Sequence, residues 1–375
     1  MSEDITAAGS AGNPGPIAGP TAEPTAGKPT DRPVSLLRKR LRKFKSLKRG
    51  YYSFLLLLAL YIISFAFPIL INNKPMVVRY NGEFYFPVLA FHNGETFGQK
   101  GEQAEADYTK LRKEFDKPGN PNWMIMPLYP WDPYHVDYED GGSFPLEPSS
   151  RHIMGTDDTG RDIFSRMAYG FNVSVSFAIL LTVLEYILGT IIGGVMAFFG
   201  GKLDLIGQRI VEVWSTIPFL YTVIIVSSIL VPNFMVLIFV ITLFNWVGTS
   251  YYMRGEFYRE KGKDYVAAAI ALGASNRQIM FKHILPNSLT PLIAFLPFTI
   301  VGNIQSLVAL DFLGFGLPAP TPSWGQMLEV GLKNIDKTWL IATPLGAMFV
   351  TLLLITFIGE AVREAFDPRV FSRLR

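Results

Sequence analysis

The chain has 375 residues, 49% hydrophobic and only 17% charged, with no cysteine and a formal net charge of +3. A soluble domain carries about 25% charged residues, and here the charges crowd between long uncharged stretches, which excludes an ordinary soluble domain and points to a polytopic membrane protein. The modest charge gives no ground for a nucleic-acid partner, and the lack of cysteine removes disulfides, thiolate metal sites and cysteine nucleophiles together.

Residues 1–31, rich in Ala, Gly, Pro, Ser and Thr, are expected to form a disordered N-terminal tail. Residues 32–49 form a basic segment that holds Arg32, Arg38, Lys39, Arg40, Arg42, Lys43, Lys45, Lys48 and Arg49 and no acid. Residues 50–72 follow as a first transmembrane helix. The uncharged run from Tyr51 to Ile71 is long enough to cross about 30 Å of hydrocarbon at about 1.5 Å per residue. It reads as a retained anchor, and the basic segment before it belongs in the cytoplasm.

Residues 73–171 then fall on the outer side. They are too long for a simple connector and contain strand-like pieces, Met76–Tyr80 and Glu83–Phe86. We expect a small mixed α/β periplasmic insert and a helix leading into the second span.

Residues 172–360 are expected to hold five further transmembrane helices. The stretch 172–200 carries only Glu185, and 213–253 has the length of two crossings with a break at Val231-Pro232-Asn233. The stretches 284–310 and 338–359 are uncharged. The count is about six spans, with both termini inside, and the tail 361–375 adds Arg363, Arg369, Arg373 and Arg375.

The cytoplasmic loop 254–287 is the most informative segment. Its DYVAAAIALGASNRQIMFKHILPN (264–287) reads as two short helices with a break. Ala267, Ala268, Ala269 and Ala271 favour helix. Gly273 suits the left-handed residue past a helix end, Ser275 with Gln278 matches a capping box, and Pro286 marks the turn into the next span. A small, alanine-lined face of this kind suits close docking on a partner.

That segment resembles the EAA loop of ABC importer permeases. Ala267, Ala268, Ala269, Gly273, His283, Leu285 and Pro286 occupy the motif positions, with Ala267 in place of the Glu and His283 in place of the Ile. The KHILPN ending is similar to that of the dipeptide/oligopeptide permease branch. So are MGTDDTGRDIFSRMAYG (154–170), DFLGFGLPAPTPSWGQML (311–328) and GEAVREAFDPR (359–369). The basic leader and the outer insert look like the narrower microcin C/oligopeptide (Yej-type) subunits.

The resemblance implies an all-α, type I ABC importer permease fold in the bacterial inner membrane. It implies ATPase coupling through Ala267, Ala268, Ala269, Gly273, Ser275, His283, Leu285 and Pro286. The implied partners are a second permease subunit in a heterodimer, two ATP-binding cassette ATPase domains and a periplasmic peptide-binding protein. This chain then needs no cofactor, since ATP and Mg belong to the partner subunits. It is not itself an enzyme, and it moves peptides by alternating access. Importers of nickel or opines share the branch. A stand-alone secondary transporter or channel for small solutes is the reading from another class, against which only one intramembrane charge and no two-fold repeat are seen.

GTDDTGRD (155–162) has the spacing of a phosphate-binding loop, but Arg161 and Asp162 stand where that loop needs Lys and a hydroxyl. Asp157, Asp158, Arg161, Asp162 and Arg166 are instead expected to fix the start of the second span by ion pairs and capping. Asp132, His135, Asp137, Glu139 and Asp140 match no metal-loop spacing and read as a solvated acidic surface. Glu185 either faces the pathway, where it could meet a cationic peptide group, or faces the partner subunit, satisfied by a hydroxyl or protonated, with the second reading favoured.

Overall fold

In the computed structural model the described residues are 36–99, 105–138 and 143–367. The expected tail 1–31, Arg32, Glu139, Asp140, Arg369, Arg373 and Arg375 lie outside them. Among the described residues the chain is mainly helical, and four helices are long and apolar enough to cross a membrane. Counting each of two bent helix pairs as one span brings the number to six.

The basic helix α1 (Leu36–Ser46) and the apolar helix α2 (Lys48–Ser64) meet at a 94° bend. The bend separates two chemistries, because α1 carries the charges and α2 from Tyr51 onward carries none. A short helix, α3 (Phe67–Leu70), with Pro68 in its first turn, follows.

The insert is a three-stranded antiparallel sheet in the order β2-β1-β3, with β1 Val77–Tyr80, β2 Glu83–Tyr85 and β3 Trp123–Ile125. Asn81-Gly82 joins β1 to β2 with φ of 52° and 90°, the left-handed pair that a tight hairpin needs. Helix α4 (Tyr108–Phe115) is capped by Asp107, which accepts from the Thr109 and Lys110 amides. Its Tyr108, Leu111 and Phe115 close over Val78 and Phe97. The insert therefore has a core of its own.

The long helix α5 (Ile163–Phe199) is capped by Asp162. It is followed by α6 (Gly201–Ser215) and α7 (Phe219–Ile229), bent by 70°, and by α8 (Phe234–Lys261), capped by Asn233. Next come α9 (Asp264–Ala271) and α10 (Asn276–Gln278), which leads through a π-helical turn at Ile279–Ile284 into α11 (Leu285–Phe312). The chain then forms α12 (Trp324–Lys333) and α13 (Thr338–Phe366).

Two boundaries differ from the sequence expectation. The third apolar crossing starts at Gly201 rather than at 213 and is broken before Pro218. Lys202, Asp204, Arg209 and Glu212 made this stretch look like a loop, but the Asp204 carboxylate takes a bidentate pair from Arg254 of α8, both bonds 2.6 Å. Pro286 also marks no turn. Residues Asn276–Phe312 run as one continuous helix, and the proline follows directly on the π-helical turn Ile279–Ile284, where the regular hydrogen-bond ladder is already interrupted.

Helices α5 and α8 pack most closely. At Gly193 a Cβ would overlap the Ser250 carbonyl oxygen, so only glycine permits this approach of backbones, as in small-residue packing of membrane helices. One apolar core joins α5, α7, α8 and α11 through Phe177, Leu181, Val223, Ile241 and Leu307. A second joins α5, α11, α12 and α13 through Val175, Ile304, Trp324 and Ile355. Large apolar side chains on α6 and α7, among them Leu205, Ile210, Tyr221 and Ile229, stay exposed, as expected of a surface that meets lipid or another helix.

Candidate functional site

The loop between α8 and α11 is built around one folded contact. Val266 of α9 turns inward onto Met253, Phe257, Ile279, Ile284 and Leu292, and Ala269 is also buried. The opposite side of α9, with Ala267, Ala268, Ile270 and Ala271, is open. It continues into Leu272, which is 88% exposed, and Gly273. Gly273 has φ of +78°, and its amide accepts the chain reversal by donating to the Ile270 carbonyl at 2.9 Å. Ser275 and Gln278 form a reciprocal capping box that starts the next helix. His283 lies in the π turn, and Leu285 and Pro286 open α11.

Four side chains whose contacts sequence reasoning did not foresee lock this loop to the bundle. The Tyr265 hydroxyl donates to Glu260 Oε2 at 2.7 Å. It accepts from Asn287 Nδ2 at 3.2 Å, and Asn287 also donates to the His283 carbonyl at 2.8 Å. Lys263 adds a 2.6 Å ion pair to Glu260. The end of α8, the start of α9 and the π turn are thereby tied together, so the open face is carried on a fixed frame.

Glu185 lies deep in α5 and is 2% exposed. It sits in a cluster with Asn303 of α11, whose Nδ2 donates to Thr182 Oγ1 at 2.9 Å and to Glu185 Oε1 at 3.3 Å. Asn245 of α8 in turn donates to Asn303 Oδ1 at 3.1 Å. The carboxyl group is thus enclosed by three helices of its own chain rather than turned outward to a partner subunit.

At the other end of α5, the residues expected to fix its start mostly do so. Asp157 accepts from the Thr159 and Arg161 amides and from Arg161 Nε at 2.8 Å. Asp162 caps the helix by accepting from the Ser165 amide at 2.7 Å. The guanidinium of Arg166 reaches the Pro133 and Pro320 carbonyls at 3.2 and 3.3 Å. Asp158 is exposed and forms no ion pair among the described residues.

Asp137 corrects the reading of its stretch as a solvated surface. It is buried, holding His152 Nε2 at 3.0 Å and Arg151 at 2.8 Å. The other nitrogen of His152 meets Asp162 Oδ2 at 2.8 Å, beside the Tyr129 hydroxyl at 2.8 Å. The stretch thus folds back onto the helix cap. No group of three or more His, Asp or Glu among the described residues is placed to hold a metal ion.

Residues 189–372 match the family described as "Binding-protein-dependent transport system inner membrane component". The chain is similar to the inner membrane ABC transporter permease protein YejE of Escherichia coli, 38% identical over 330 residues, which covers 88% of this chain and 96% of that protein. It is also similar to the peptidoglycan transport system permease protein YejE of Agrobacterium fabrum, 38% identical, covering 88% and 93% of the two chains. The oligopeptide transport system permease protein OppC of Bacillus subtilis is 33% identical over 60% of this chain and 73% of its own.

Proposed function

The chain belongs to the family of inner-membrane permease subunits of binding-protein-dependent ABC transporters, and from that premise we propose that it is the peptide-conducting half of a heterodimeric importer driven by separate ATPase subunits. Peptide as the cargo is carried over from the oligopeptide relative, and the peptidoglycan relative widens the class to peptide-bearing wall fragments.

The observation that carries the reading is the open apolar face of α9 on a rigid frame. In an isolated chain such a face has no partner, and Leu272 stands out from it almost fully exposed. A cleft in an ATPase subunit is the occupant that the family supplies. The rod Asn276–Phe312 links that face to the middle of the bundle without a flexible joint. Closure of two ATPase domains would then tilt α11 as a rigid body, and alternating access follows from rocking one subunit against the other. In this reading α1 and α9 lie on the cytoplasmic side and the sheet insert on the periplasmic side, where a peptide-binding protein delivers cargo. ATP and Mg are bound by the partners. Glu185 is a packing residue rather than a pathway residue, because its hydrogen-bond partners are all within the chain.

The test is uptake of a labelled oligopeptide into vesicles that hold the intact complex. ATP-dependent uptake is expected, and Gly273→Trp should abolish both uptake and co-purification of the ATPase. Full transport and assembly by Gly273→Trp, or proton-driven uptake by this chain alone, would contradict the proposal.

A further inference from the structure

We propose that this chain holds the phosphate of an anionic phospholipid in a basic pocket formed where α1 crosses the ends of α11 and α13. The pocket has a volume of about 460 Å³, and its wall includes Arg40, Arg259, Lys263, Thr290 and Arg363. Glu260 and Asp367 are its two acidic side chains. Glu260 is already committed to Lys263 at 2.6 Å and faces Arg259 at 3.5 Å. Arg40 and Arg363 form no ion pair among the described residues. Arg40 instead lies over the Phe366 ring at 4.8 Å and reaches Thr290 Oγ1 at 3.5 Å. Two guanidinium groups, Arg40 and Arg363, thus border one cavity whose wall also holds the Asp367 carboxylate. Guanidinium is the group best shaped to grip phosphate oxygens.

The surroundings choose a lipid among the carriers of phosphate. Helix α1 stands at 94° to the apolar α2, so when α2 crosses the bilayer α1 lies along its surface. The Lys43–Glu364 pair, 2.8 Å, pins it there against α13. The remaining wall is apolar, with Pro291, Ala294 and Phe295 on α11, and Phe295 is exposed above the cationic rim. A cationic rim at headgroup level below an apolar wall fits a molecule with a phosphate at one end and acyl chains at the other. The inference goes beyond peptide transport and rests only on α1 lying at the membrane surface.

The experiment uses the intact complex in nanodiscs of phosphatidylcholine with a minor share of photo-crosslinkable phosphatidylglycerol. Labelled peptides are expected from α11 and α13 around Thr290 and Phe366. Replacing Arg40→Gln and Arg363→Gln together should weaken labelling roughly thirtyfold, and Arg363→Gln alone, at an exposed position, about fivefold. Lys39→Gln, outside the pocket, should leave labelling unchanged. The single Arg363→Gln variant reads the same effect should the double variant lose its fold. Inorganic phosphate should not displace the lipid beyond the effect of an equal ionic strength of chloride. Unchanged labelling in the single and double variants would overturn the proposal. So would displacement by inorganic phosphate, which would make the pocket a free-anion site. Loss of the ATPase subunit from the arginine variants with lipid labelling intact would make it a protein contact instead. None of these outcomes bears on whether the chain conducts peptides.

Discussion

Glu185 shows at the scale of one residue how a membrane bundle keeps a carboxyl group. Its oxygen is met by Asn303, and Asn303 by Asn245 and Thr182, so three helices share one set of hydrogen bonds. Glu185→Gln keeps a partner for each of them, and peptide uptake and thermal stability should stay near those of the parent. Glu185→Leu removes an acceptor from Asn303 and should cost about 1–3 kcal/mol in unfolding free energy, toward the low end for a membrane bundle. Loss of uptake by Glu185→Gln in a normally folded complex would return the residue to the pathway.

His152 supplies a second test at this scale. Burial pulls the imidazole toward its neutral form, but hydrogen bonds to Asp162 and Asp137 outweigh it and raise the pKa above the ordinary 6.5. Arg151 and the Tyr129 hydroxyl face the same two carboxylates. A raised pKa means that the cluster stabilises the fold fully at pH below the ordinary histidine value and that this contribution is lost as pH climbs through the raised one. The thermal midpoint of the purified chain should therefore fall across a window that opens near the ordinary histidine value, about pH 6.5, and runs toward alkaline pH. In His152→Gln the midpoint should be lower at the acid end and nearly flat across the window. A parent profile as flat as that of the variant would contradict this.

At the scale of elements, the contact of α5 with α8 depends on bare backbone. Gly193→Leu must push the two helices apart, and about 1–3 kcal/mol of destabilisation is expected in a denaturation series, with Gly248→Ala, which meets open space, as the neutral control. Local chemistry was the part of the inner loop that could be read in advance. The capping box of Ser275 and Gln278 and the left-handed Gly273 involve residues no more than three positions apart, and both stand where the sequence placed them. The lock between Glu260, Tyr265 and Asn287 was not legible, because it joins groups 22 positions apart along the chain and follows no period. The start of α6 was hidden for the same reason. Asp204 looks like a loop charge until Arg254, 50 positions later, is seen to neutralise it. Two apolar pieces of the insert were readable as strands from their β-branched and aromatic residues, whereas β3 at Trp123–Ile125 lies among prolines and gave no such signal.

At the scale of the whole molecule, exposed apolar side chains among the described residues fall on helix faces, on the sheet insert and on the loop between α8 and α11. Those on α6 and α7 face outward along apolar helices, and those at Ile270 and Leu272 sit on a charged loop at one end. Under the proposed function, the loop is where the ATPase subunit docks. Gly273→Asn, which tolerates the left-handed conformation, should retain more ATPase in pull-downs than Gly273→Val, which does not. The chain contains no cysteine, so a single introduced thiol reports one position without background. The most direct measurement is disulfide trapping in membranes that hold the complex, with Leu272→Cys in this chain and cysteines along the docking cleft of the ATPase subunit. A Leu272→Cys adduct with the ATPase is predicted, together with none from Leu89→Cys, an equally bare position on the sheet insert at 81% exposure. Failure of Leu272→Cys to trap the ATPase, with its thiol freely labelled by a soluble maleimide in the assembled complex, would contradict the coupling role of this loop.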